Sequence, residues 1–136
     1  MKKIIIPMAV ATLIVFCITA CKKTDNQQPQ TTLQKIQAKW QLQTYYSNDH
    51  FSGVDHIQNV TGTASDYLDF RPDEKVYSSL LGSRDTVTYS LVNDTQLLID
   101  GSTKYDIKTL TSNSFVIYEK DISGSDFLEE TITMAK

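Results

Sequence analysis

Along most of the chain apolar and polar residues alternate with a period of two, which puts successive side chains on opposite faces of an extended strand. In KWQLQTYYS, Trp40, Leu42, Thr44 and Tyr46 share one side while Gln41, Gln43 and Tyr45 share the other. The same rhythm returns in DYLDF (66–70), KVYSSL (75–80), DTVTYSLV (85–92), QLLID (96–100), TKYDIKTL (103–110), SFVIYEK (114–120) and FLEETITMAK (127–136). Turn formers fill the gaps, among them Arg71-Pro72-Asp73-Glu74, Gly82-Ser83-Arg84, Asn93-Asp94-Thr95 and Gly101-Ser102. The pattern predicts eight strands. Short connections, with no helical period after residue 39, imply antiparallel neighbours in up-and-down order. Such a sheet keeps two open edges unless it closes, and eight strands can close into a small barrel. The strand spacing alone also permits a two-layer sandwich.

Two segments break the rhythm. Residues 32–39, TLQKIQAK, follow the possible caps Thr31 and Thr32, and Leu33, Ile36 and Trp40 recur at helical spacing. A short helix is predicted there, packed on the strands because it cannot stand alone. Residues 47–65, SNDHFSGVDHIQNVTGTAS, are rich in Ser, Asn, Gly and Thr and read as a long loop that could act as a lid.

The first residues follow a different plan. Lys2 and Lys3 precede an apolar run from Ile4 to Ile18, too short for a transmembrane helix and suited to a secretory leader. The run ends in Ile18-Thr19-Ala20-Cys21, which resembles the bacterial lipobox, where a signal peptidase cuts just before an acylated cysteine. That resemblance implies residues 1–20 as leader, Cys21 as the lipidated first residue of the mature protein, and a cell-envelope location anchored by lipid. Lys22 after Cys21, in place of a retention aspartate, points to the outer membrane. Residues 22–30, KKTDNQQPQ, hold no apolar side chain and cannot offset chain entropy, so 21–31 is expected to be a flexible tether and 32–136 the folded domain.

Removing the leader takes Cys17 with it and leaves 116 residues, with 11 basic against 16 acidic side chains and a net charge of −5. With Cys21 acylated no thiol remains, which excludes a cysteine nucleophile, a redox pair or a thiolate zinc site. The acidic balance and the lack of a basic cluster beyond Lys22-Lys23 give no footprint for nucleic acid.

Gln34 to Tyr46, QKIQAKWQLQTYY, looks like the opening of the lipocalin-like domains of bacterial lipoproteins, a short helical turn followed by Gly-x-Trp entering the first strand. The likeness continues through YLDFRPDEKV (67–76), TYSL (88–91), QLLI (96–99) and YDIKTL (105–110), covering about residues 34–135. It implies an all-β, eight-stranded antiparallel up-and-down barrel with a short N-terminal helix. Ala38 stands where the family has glycine, no C-terminal helix follows the eighth strand, and no arginine follows Arg84 to cover the tryptophan.

A barrel of this size is either filled by its own side chains or holds one small ligand. The in-phase positions nominate Trp40, Leu42, Tyr46, Phe70, Tyr89, Tyr105 and Phe115 as lumen residues. A pocket among them would be small and apolar, with tyrosine hydroxyls as its polar contacts. A filled barrel would instead present its loops and its outward tyrosines, Tyr45, Tyr77 and Tyr118, to a protein or glycan.

Catalysis finds little support. Asp49-His50 and Asp55-His56 could hold a metal or act as acid and base, but neighbours on extended chain diverge and no third ligand is evident, so a solvated loop is the expectation. No Ser lies in a Gly-x-Ser-x-Gly turn, no phosphate loop is present, and the adjacent Glu129 and Glu130 face opposite ways, as on a solvated edge. The expectation is a monomeric binding protein without enzymatic activity or cofactor, attached to the membrane through Cys21.

Overall fold

In a computed structural model that describes residues 29–136, the chain forms one short helix and nine strands. The order is α1 (Thr32–Ile36), β1 (Lys39–Phe51), β2 (Val54–Thr61), β3 (Tyr67–Phe70), β4 (Lys75–Leu80), β5 (Ser83–Asn93), β6 (Gln96–Ile99), β7 (Thr103–Leu110), β8 (Ser114–Ser123) and β9 (Asp126–Ala135). All pairings are antiparallel, and β1 pairs with β9 to close the sheet. The leader, Cys21 and most of the tether lie outside the described residues.

The nine strands occupy eight positions around the barrel. The first half of β1 pairs with β3 (Lys39 to Gln41 against Asp69 to Tyr67) and the second half with β2 (Thr44 to Phe51 against Thr61 to Val54). β2 and β3 therefore lie end to end along the same side of β1, as one barrel stave broken at residues 62–66. Only β3 pairs onward to β4; β2 bonds to β1 alone. The expected loop over 47–65 is thus corrected: β1 runs on to Phe51 and returns through Ser52-Gly53 as β2. Both turn residues have positive φ, +54° and +79°, as a two-residue type I′ hairpin requires.

The break is tightly held. The Leu42 N–H donates to the Asp66 carbonyl (2.9 Å), and the Gly62 N–H to the Gln43 carbonyl (2.9 Å). A Cβ at residue 62 would overlap the Leu42 carbonyl, so only glycine lets the two backbones come this close. The Asp66 carboxylate, buried, accepts from the Thr63 N–H at 2.8 Å, the Thr63 hydroxyl and the Leu81 N–H at 2.7 Å. These bonds, the Thr63 hydroxyl first, hold its pKa below the ordinary carboxylate range.

β1 starts beside α1, and the alternating direction of the strands gathers α1 and the turns at 71–74, 94–95 and 111–113 at one end. Hairpin turns at 52–53, 81–82, 100–102 and 124–125 mark the other. The α1 end is filled. Thr31 caps the helix in a reciprocal capping box with Gln34. Ile36 plugs the barrel with no exposed surface, and its carbonyl accepts the Trp40 indole N–H at 2.8 Å. Trp40, Phe115, Phe70 and Tyr89 then stack in sequence with ring centroids 5.3, 5.8 and 5.1 Å apart. Leu97, Val76 and Met134 fill the gaps between them. The Lys136 ammonium lies 4.2 Å from the Trp40 ring, within reach of a cation–π contact.

Candidate functional site

At the hairpin end the barrel is not filled. A cavity of about 350 Å³ opens to solvent there, its walls Leu42, Leu80, Leu81 and Ile132, its polar side Tyr45, Tyr105, Glu130 and Gln58. It is far larger than the roughly 30 Å³ share of one water and sits near the lower end of ligand-site volumes, roughly 300–1,000 Å³. Gln58 comes from β2 and Leu80 and Leu81 from the end of β4, so the cavity lies beside the broken stave, where β2 and β4 are not bonded to each other.

Of the nominated lumen residues, Leu42 and Tyr105 line this cavity. Trp40, Phe70, Tyr89 and Phe115 belong instead to the packed layer beneath it. Tyr46 is displaced by a register shift between Leu42 and Thr44, a β-bulge that carries an extra residue through the strand. Beyond the bulge Tyr45 pairs with the buried Ile132, and Tyr46 with Thr131. Tyr45, expected on the outer face, therefore points inward, and Tyr46 does not line the cavity.

The same phase sets the acidic residues. Directly paired residues on neighbouring strands share a face. Ile117 on β8 and Ile132 on β9 are paired, buried and inward, and two residues further on Glu119 pairs with Glu130, which in turn pairs with Ser47 of β1. Glu130 is thus not a solvated edge residue. It accepts the Tyr45 hydroxyl on one oxygen (2.6 Å) and the Tyr105 hydroxyl on the other (2.9 Å). Its neighbour Glu129 does face outward, paired with Lys120 at 3.3 Å.

Burial, and then the Glu130 charge, raise the Tyr105 hydroxyl well above the ordinary tyrosine range, and burial, with the hydrogen bond to Glu130 second, raises that of Tyr45. Both phenols stay protonated and donate. Burial raises the Glu119 carboxyl as well, with repulsion from Glu130 second. The open end therefore brings the Glu130 carboxylate, two donor hydroxyls and an apolar wall into one concavity, with Glu119 beside it on β8.

The two Asp-His pairs lie in the projecting β1–β2 hairpin and cross-pair. Asp49 stands opposite His56, and His50 opposite Asp55, with 2.7 Å between His50 Nδ1 and the Asp55 carboxylate. His50 also stacks on Phe127, centroids 5.0 Å apart. Among the described residues no group of three or more His, Cys, Asp or Glu is placed to hold a metal.

Compared with protein-family models, with curated proteins and with solved structures, the chain matches none of them. The reading of the site rests on its own geometry.

Proposed function

We propose that this protein is a lipid-anchored lipoprotein of the cell envelope, with a lipocalin-like barrel that binds one small, largely apolar molecule at its open end and performs no catalysis. The cavity carries this reading: an eight-stranded barrel of this size could have been filled throughout by its own side chains, and one end is not. Leu42, Leu80, Leu81 and Ile132 receive the apolar body of the ligand, and Tyr45, Tyr105 and Gln58 its polar end. The lipobox-like Ile18-Thr19-Ala20-Cys21 supports the anchor and an outer-membrane location, with the polar chain after Cys21 as its leash. No second protomer is required to complete the pocket, which fits a monomer.

Native mass spectrometry of the protein purified from its own host tests both halves. The expected mass lacks residues 1–20, carries acyl chains on Cys21, and includes a retained small molecule. An unacylated N-terminus would sink the anchor, and a protein that is always empty and takes up no apolar probe would sink the ligand reading.

A further inference from the structure

Glu130 lies partly buried in the cavity wall between apolar residues, and among the described residues its hydrogen-bond donors are two neutral phenols, Tyr45 and Tyr105. The ion pairs found among the described residues involve Asp55, Asp69, Asp106 and Glu129, and neither Glu130 nor Glu119. The lysines closest in sequence cannot easily serve. Lys104 adjoins Tyr105 and Lys120 adjoins Glu119, so strand alternation turns both to the outer face, where Lys120 pairs with Glu129. A partly buried carboxylate among apolar side chains, with Glu119 opposite it on β8, is best matched by a group of opposite charge.

We infer that the ligand of this pocket carries a cation, an ammonium, quaternary ammonium or guanidinium group on a compact apolar body. This inference rests on the ligand-binding reading above and names the class of molecule. The head sits against the Glu130 carboxylate, each of whose oxygens accepts only one hydroxyl and keeps a free lone pair. The two tyrosines orient the carboxylate, and the Gln58 side-chain carbonyl offers a further acceptor at the rim. The body lies on Leu42, Leu80, Leu81 and Ile132. A fatty acid or other anionic amphiphile of the same size is disfavoured, because its carboxylate would face that of Glu130. A sugar fits poorly too, since most of its hydroxyls would meet leucine and isoleucine.

The test is calorimetric titration of the full protein as its host makes it, held in lipid nanodiscs with empty nanodiscs as blank. The probes are n-hexylamine, n-hexanol and hexanoate at pH 7. The amine should bind at least tenfold more tightly than the alcohol, hexanoate least tightly, and rising salt should weaken only the amine. Affinity for amines should rise about fourfold per added methylene until the cavity is full. Glu130→Gln should bring the amine down to the affinity that the same variant shows for the alcohol. Glu119→Gln, further from the cavity, should weaken the amine less, and it keeps the inference testable if Glu130→Gln misfolds by circular dichroism. Equal binding of amine and alcohol, or a preference for hexanoate, overturns the cation and leaves the pocket standing. No binding of any probe at millimolar concentration overturns both.

Discussion

The two ends of the barrel are made from the same strands and differ in what those strands turn inward. Along β8 the inward series runs Phe115, Ile117, Glu119, and along β9 it runs Met134, Ile132, Glu130. In each strand the inward series begins with apolar residues at the packed end, passes Ile132 in the cavity wall on β9, and ends in a carboxylate at the open end. At the packed end the buried polar groups are paired with nearby backbone, the Trp40 indole with the Ile36 carbonyl and the Tyr89 hydroxyl with the Arg71 carbonyl. At the open end the charge is left for something else to answer. The comparison separates two tasks that a small domain often mixes: the α1 end supplies cohesion and the hairpin end carries the chemistry.

If that division holds, deletions at the two ends should differ sharply. Trp40→Ala removes the largest fully buried side chain of the packed end and should cost roughly 3–5 kcal/mol in urea or guanidinium unfolding. Leu80→Ala, on the cavity wall and only partly buried, should cost roughly 1 kcal/mol and act mainly on ligand affinity. Similar losses at both sites would show that the open end also bears the fold.

The broken stave joins the two regions and can be probed alone. Gly62→Ala forces a methyl group into the Leu42 backbone and should destabilise by roughly 1–3 kcal/mol. It should also shift the bulge that turns Tyr45 inward, seen as a change in the tyrosine near-ultraviolet signal. A wild-type spectrum and stability would mean that the crossing is looser than the structure has it.

The smallest effect is in pH, and its sign distinguishes two carboxyls. Asp66, held below its ordinary range by hydrogen bonds, gives stability that is present above the unfolded carboxylate pKa and lost as pH falls through its folded value. Glu119, raised by burial and by Glu130, does the opposite: its contribution is full below the unfolded pKa and is lost as pH rises through the folded one. Asp66→Asn should therefore flatten the acid limb of a melting-temperature profile, and Glu119→Gln should remove a decline just above it. A Glu119→Gln profile superimposable on wild type over that range would contradict an inward, desolvated Glu119.

Much of this was legible in the chain. Eight of the nine strands alternate plainly, and their short turns implied the meander, while closure into a barrel rather than a sandwich rested in part on the family resemblance and is seen in the β1–β9 pairing. β2 was hidden for a physical reason: VDHIQNVT projects from the barrel, is exposed over nearly its whole length and has no buried face to impose alternation. Its signal was the Ser52-Gly53 turn with His50 and Asp55 at matching distance on either side. Glu119 and Glu130 could have been found by counting in twos from Phe115 and Met134, but charge argued for solvent. Tyr45 could not have been placed, because the bulge that reverses its face arises from Gly62 and Asp66 bonding to β1 from some twenty residues away. The register shift is a tertiary event with no local mark.

The short helix at the packed end has one more consequence, for how the molecule is oriented. Because the chain enters the barrel through α1, Thr31 and the hairpin end that carries the cavity mouth lie on opposite sides of the packed layer. On the anchored reading, the 11 residues from Cys21 to Thr31 add at most about 40 Å of reach. The receptive pole would then look outward into the aqueous space, scanning solutes that diffuse there, with the plugged pole turned toward the bilayer.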